Sequence, residues 1–473
     1  MAEKNPRWDV FARIRAFFGV QDMTAGDPMQ KLVQFSIPLL FGNLWQQLYN
    51  TVDSIVVGKY IGDTALAAVG TAGPILNLML VLFMGIATGG SILASHYFGA
   101  KDRATLSRVV GTTIVLTVVS GLLMTVIGYF SAPLLINMMT PPPDVAEGAI
   151  IYLQIIFLGL LGSGAYNILS GVLRGIGDSF NPLLYLAIAC IMNIVLDIVF
   201  VASLGMGVAG VAWATIIAQA VSGGLCLIRL LRLRDILDIN RQTLRIDGRL
   251  AAQLGRLGVP SGVTTALFSL SSIMVQSLTN ALGTAMIAAN VAVMRVDGFA
   301  MMPNFTFGTA ATTYVGQNIG ARNVERARAG MKALLRLAVG TAVALVACIL
   351  LGGRWLISLF TETPEVIDIG VQGLRWLSLG YIAFAVTNSL HGAMRGAGET
   401  MIPMWISLIT TIVVRMPLAY LLAYLTRTEA WPNGQPVAIF SSLLIAWILG
   451  MLITSVAYFR GAWKRKLPPE LRG

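Results

Sequence analysis

Twelve stretches of about 20 or more mostly apolar residues succeed one another along this chain. Each is as long as a helix must be to cross a hydrocarbon layer roughly 30 Å thick. They fall near 32–58, 65–95, 106–129, 149–170, 181–203, 208–230, 255–280, 286–314, 333–351, 372–392, 401–425 and 436–459. Only 12% of the residues are charged, against about 25% in a soluble domain. Spans of this length without strand alternation specify an all-α integral membrane protein, because inside lipid a helix satisfies its own backbone. The net charge of +11 does not indicate nucleic-acid binding, since the bases sit in short loops instead of covering a folded face. Cys190, Cys226 and Cys348 are isolated in apolar runs, and His96 and His391 are far apart. Disulfide scaffolds and zinc sites are thereby excluded. Ahead of the first span, residues 6–20 put Trp8, Phe11, Ile14 and Phe18 on one helical face, as in a helix lying on the membrane surface. No apolar h-region precedes a small-residue cleavage site, so no cleavable signal peptide is expected.

Lysine and arginine in the loops set the orientation. With both termini cytoplasmic, Lys101, Arg103 and Arg108, then Arg232 to Arg249, then Arg322, Arg326 and Arg328, and finally Lys464 to Lys466 all gather on the cytoplasmic side. Of the loop bases, Lys59, Arg354, Arg375 and Arg427 alone fall opposite.

The chain also matches itself. Gly171-Val-Leu-Arg174-Gly175-Ile-Gly177-Asp178 lines up with Gly392-Ala-Met-Arg395-Gly396-Ala-Gly398-Glu399. The same offset carries Phe98-Gly99-Ala100-Lys101 onto Ile319-Gly320-Ala321-Arg322, Gly62 onto Gly283 and Ala67-Ala68 onto Ala288-Ala289. A one-residue gap brings Pro38 onto Pro260. Two six-helix lobes follow, and because six is even they share one orientation, related by a pseudo-twofold axis along the membrane normal. The expected organisation is an amphipathic segment (1–29), an N-lobe (30–231), a basic linker (232–250), a C-lobe (251–460) and a basic tail (461–473). No GxxxxGK[ST] occurs, so the expected energy source is an ion gradient, unless transport is passive, and no cofactor is called for.

A charge at the membrane centre costs about 2.5–3.5 kcal/mol on insertion scales, so each one needs a reason. Asp53, Asp197, Asp297, Arg295 and Arg415 fall well inside spans. Counting helical rise from the span ends puts Asp53 roughly 7–8 Å, Asp197 about 9 Å and Thr215 about 10 Å from the same edge. Asn193 shares a helical face with Asp197. Two carboxylates, an amide oxygen and a hydroxyl at one level form an oxygen-donor set suited to Na⁺ or to a shared proton. Alternatively, such groups only tie helices together. In the second half Arg295 and Asp297 point apart on one helix. There the residues admit two readings: a structural bridge from Asp297 to Arg415 or to a neighbouring helix, and a role in gating or substrate binding. Pro38 gives the first helix a weak point ahead of Asp53.

The run Ile37-Pro38-Leu-Leu-Phe-Gly-Asn43-Leu-Trp-Gln46-Gln47-Leu-Tyr49-Asn50-Thr-Val-Asp53 resembles the first helix of the multidrug and toxic compound extrusion (MATE) family. Gly62 to Gly70, Leu173 to Asp178, Asn193 to Asp197 and Gly316-Gln317-Asn318-Ile-Gly320-Ala321 are similar to its signatures too. The resemblance covers residues from about 29 to 460. It implies drug export in exchange for H⁺ or Na⁺, with the coupling site at Asp53, Asn193, Asp197 and Thr215, as in DinF-like and MepA-like members. Where NorM-like members carry acids, this chain has Gln276, Asn388 and His391. Gln46, Tyr49, Asn50, Arg295, Asp297, Met301, Phe305 and Arg415 are candidates for the substrate cleft or gate. Expected partners are cationic or neutral amphipathic drugs and membrane lipids. The expected state is a monomer in the bacterial cytoplasmic membrane, and the function is not enzymatic. A flippase for lipid-linked sugar or peptidoglycan precursors is the competing class, but it calls for several bases in the cleft where only Arg295 and Arg415 are available.

Overall fold

The computed structural model describes residues 19–139, 142–429 and 431–466. Within these the side chains of 50, 53–55, 58, 63, 66, 144, 465 and 466 are not described. The surface helix expected over 6–20 therefore lies almost wholly outside the described residues.

Among the described residues twelve helical spans run in order. Those of the first half are Pro28–Tyr60, Asp63–Gly99, Arg103–Met138, the pair Pro143–Leu158 and Leu160–Gly175, Phe180–Asp197 continued as Ile198–Ser203, and Gly207–Arg232. The second half has Gly248–Ala281, Thr284–Gly320, Val324–Ser358, Pro364–Gly396, Met401–Leu408 continued through Ile409–Val414 and Arg415–Leu425, and Val437–Phe459. Ten are long and apolar enough to cross a membrane alone, and the fourth qualifies as a pair bent by 53°. The first is 33 residues long, but its Gln, Asn and Asp residues dilute its apolar character. Most helices overrun the apolar stretches that announce them. Hydropathy reports only the hydrocarbon crossing, whereas helical hydrogen bonding continues into the interface.

Two features were not legible in the sequence. The fourth span bends at Gly159, where a Cβ would overlap Ile216 of the sixth. The fifth and eleventh spans each contain a π-helical segment, Ile198–Ser203 directly after Asp197 and Ile409–Val414 directly before Arg415. Such segments recur at functional sites because the widened turn redirects the neighbouring side chain.

The chain forms two compact units. One takes Val33–Gly262 with the described residues up to Gly26, the other Asp27–Leu32 with the described residues from Val263 onward. The core of the first gathers Phe83, Leu153, Phe157 and Ile168; that of the second gathers Met286, Ile357, Leu374 and Tyr381. Many large apolar side chains point outward, Leu351 at 90% exposure and Phe130 at 77% among them, as expected where lipid is the solvent.

The repeat reappears as backbone geometry. Lys101 (φ 56°) and Arg322 (φ 58°) occupy matching left-handed positions, as do Gly177 (φ 92°) and Gly398 (φ 86°). Each closes a helix with the same paired bonds: Lys101 N to Phe98 O and Asp102 N to Tyr97 O, both 3.0 Å, and likewise Arg322 N to Ile319 O and Asn323 N to Asn318 O. A cation at that helix end also complements the macrodipole. The next residue then starts a new helix: Asp102 accepts from Thr105 N at 3.0 Å, Asn323 from Arg326 N at 2.9 Å. These bonds hold the Asp102 carboxyl below its ordinary range.

The basic linker belongs to the first unit and is latched along the third span. Ser107 Oγ accepts from Asp238 N at 2.8 Å, Thr112 Oγ1 donates to Arg245 O at 3.1 Å, and Arg103 pairs with Asp238 at 2.6 Å. Gly111 leaves room for the Thr243 carbonyl to lie against the helix. The ion pair is exposed and worth little, so the hydroxyls are the expected holding points. Thr112→Val should speed tryptic cleavage at Arg241 and Arg245 by several-fold, read by peptide mapping, while Arg103→Gln should change it little.

Candidate functional site

In the first unit the fifth span carries Asn193 and Asp197 one turn apart, both fully buried. Asn193 Nδ2 and Oδ1 have no hydrogen-bond partner among the described residues, and neither does Thr215 Oγ1 on the adjoining sixth span. Each is a polar atom shielded in an apolar bundle, where an unmet hydrogen bond costs about 1–3 kcal/mol. The backbone of Asp53 lies in the first span, seven residues before its end; its side chain and that of Asn50 lie outside the described residues. One turn on from Asp53, Asp197 and, in reverse, Thr215 stand Val57, Val201 and Val211, and all three belong to one contiguous apolar cluster. Gln219, one turn beyond Thr215, adds a buried amide oxygen with no partner among the described residues. The Thr215 and Gln219 spacing was the signal for it, and sequence reasoning passed it over. Carboxylate, amide and hydroxyl oxygens are the donors a hard monovalent cation prefers. Among the described residues no group of three or more His, Cys, Asp or Glu could hold a metal ion.

In the second unit the eighth, tenth, eleventh and twelfth spans enclose, with the seventh, a cavity of about 340 Å³. Asp297, Met301, Phe305 and Arg415 line it together, with Gln276, Asn290 and Trp447. One wall is an aromatic chain: Phe305 meets Phe384 edge-on at 5.8 Å between centroids, Phe384 meets Trp447 at 5.5 Å, and Trp447 meets Tyr381 at 6.0 Å. Arg415 donates from Nη1 to Ser271 Oγ at 3.2 Å. The Tyr381 hydroxyl is directed at the Asp297 carboxylate, and Arg415 stands within electrostatic reach. No ion pair within 4.0 Å joins Asp297 to Arg415 among the described residues.

The remaining candidates lie elsewhere. Arg295 is exposed and does not line the cavity, since residues two apart on a helix face different ways. Gln46 is half-buried and Tyr49 buried, both on the first span in the first unit. Asn388 is spent on Asn304 O at 2.7 Å, and His391 on Thr454 at 3.0 Å.

The MatE family model matches residues 38–199 and, a second time, residues 260–421. The chain belongs to the MatE family. Each match covers one half of the internal repeat, and each ends within the span that carries Asp197 or Arg415. Among relatives of this MATE chain, "Probable multidrug resistance protein YoeA" of Bacillus subtilis (strain 168) is 30% identical over 91% of this chain and 93% of the relative. "Probable multidrug resistance protein YpnP" of the same organism is 28% identical over 94% and 97%. A solved MATE in complex with MaL6 superposes with a TM-score of 0.86 at 26% identity, covering 94% of this chain and 99% of the other. This MATE chain is thus a multi-pass membrane protein of a multidrug efflux transporter family, whose members are transporters and not enzymes.

Proposed function

We propose that the chain is a secondary antiporter that exports cationic or neutral amphipathic compounds in exchange for H⁺ or Na⁺ by alternating access, in the bacterial cytoplasmic membrane with both termini inside. The observation that carries this reading is the buried oxygen-donor set on the fifth and sixth spans. Asn193 and Thr215 hold polar atoms ready for a guest beside a fully buried Asp197. We assign Asp53 of the first span to the same set, following the DinF-like and MepA-like pattern that the sequence resembles. An ion shifts a conformational balance only through its differential affinity for the two states, and a site of this kind supplies one. The flippase reading calls for several bases at the substrate site, and among the described residues Arg415 is the single base lining this cavity, Arg295 being exposed and not part of its lining.

Everted vesicles loaded with a cationic dye test the proposal. Imposing ΔpH and a Na⁺ gradient separately should drive dye transport with one of them and not the other. Transport that survives collapse of both gradients would overturn it.

A further inference from the structure

Opposite charges facing one cavity usually join. Asp297 and Arg415 do not: both line the cavity of the second unit, yet no ion pair within 4.0 Å joins them among the described residues. Asp297 Oδ1 and Arg415 Nε are each shielded and have no hydrogen-bond partner among the described residues. Ser271 holds one end of the guanidinium by Nη1 and so fixes its plane. Phe305, Phe384 and Trp447 line the same cavity as the two charges, their rings in successive contact at 5.8 and 5.5 Å between centroids. At about 340 Å³, the space sits at the low end of the roughly 300–1,000 Å³ typical of small-molecule sites.

We propose that this cavity is a two-point site for a zwitterionic aromatic amphiphile, its carboxylate on Arg415, its ammonium on Asp297 and its ring against Phe305, Phe384 and Trp447. The assignment rests on reading the chain as an exporter of small molecules, and it names which net-neutral ones the second unit takes. A planar guanidinium with its edge free matches a carboxylate in two-point fashion. The carboxylate of Asp297 receives the ammonium, and the aromatic wall adds stacking and cation–π attraction. A ligand carrying only one of the charges leaves the other protein charge unanswered in a poorly solvated space, and this is what makes the pair selective.

Three fluorescent probes of one frame separate the charges: Nε-dansyl-lysine, a zwitterion; its methyl ester, a cation; and its Nα-acetyl derivative, an anion. Binding to the full-length protein in lipid nanodiscs should favour the zwitterion over each of the others by about tenfold or more. Arg415→Gln should abolish the preference over the ester, and Asp297→Asn the preference over the acetyl derivative. Phe305→Ala, at a half-exposed position, should weaken all three alike. Charge-blind binding by the unaltered protein overturns the two-point site without any variant having to fold. If Phe305→Ala still weakens that charge-blind binding, the cavity remains a ligand site and only its chemistry is wrong. If neither Phe305→Ala nor the charge variants alter binding, the cavity assignment falls too. Dye transport in everted vesicles decides the exporter reading independently of either result.

Discussion

Asp197→Asn is expected to leave the protein inserted and folded while reducing gradient-driven efflux to the level of passive leak. The substitution keeps the shape of a side chain that is fully buried on the fifth span, and it removes a charge whose burial costs free energy. The melting temperature should therefore stay constant or rise. What disappears is the group whose protonation or ion binding differs between states. If the ion prefers one state a hundredfold, its removal erases roughly 2.7 kcal/mol of driving bias, enough to uncouple the cycle. Asp53→Asn should have the same effect. Asn193→Ala and Thr215→Ala should weaken ion dependence without abolishing it, since each withdraws one neutral oxygen. Asp102→Asn is the control. It sits at a loop cap whose counterpart in the second half is already Asn323, with the same hydrogen bond to the helix start, so efflux should be unchanged. Full gradient-driven efflux by Asp197→Asn would remove the fifth span from the coupling site.

The spans were legible because apolar length is a direct physical requirement of the bilayer, and the burial of Asn193 and Asp197 was legible because both lie deep in an apolar span. Side-chain direction was partly legible: Arg295 and Asp297, two apart on one helix, were expected to point apart, and Asp297 lines the cavity while Arg295 is exposed and does not. The π-helical turns beside Asp197 and Arg415 left no residue signal, as no Pro or Gly marks either segment. The repeated motifs were visible but their meaning was not. Phe98 to Lys101 and its counterpart look like a functional signature, and they turn out to be helix stops followed by helix caps. Asp178 likewise caps the fifth span through Asn181 N at 3.1 Å and pairs with Arg229 at 3.0 Å. Glu399 meets Met401 N at 3.0 Å in the same place in the other half.

The glycines of that motif carry the second large effect. Gly171 and Gly175 on the fourth span lie against the Ala87 and Ser91 carbonyls of the second, and Gly392 and Gly396 on the tenth lie against the Gly308 and Thr312 carbonyls of the eighth. The pairs are equivalent under the repeat, so each unit is seamed by one small-xxx-small contact in which main chain meets main chain. Thr312 Oγ1 donates across the second seam to Gly392 O at 3.1 Å, a bond that requires the close approach. A Cβ on Gly392 would overlap the Gly308 carbonyl, which cannot rotate aside as a side chain could. Overpacking a core typically costs about 1–3 kcal/mol, and with main chain as the obstacle Gly392→Val should reach the upper end or exceed it. For a unit of this size that corresponds to a fall in melting temperature of roughly 6–12 °C, read by size-exclusion thermal shift of the solubilised protein. Gly340→Val, on the ninth span with nothing within 4 Å of its Cβ position, should stay within about 2 °C of the parent. Equal shifts for the two variants would mean that the seam does not hold the second unit together. The repeated glycines would then need a different explanation, one rooted in movement between the eighth and tenth spans during the transport cycle.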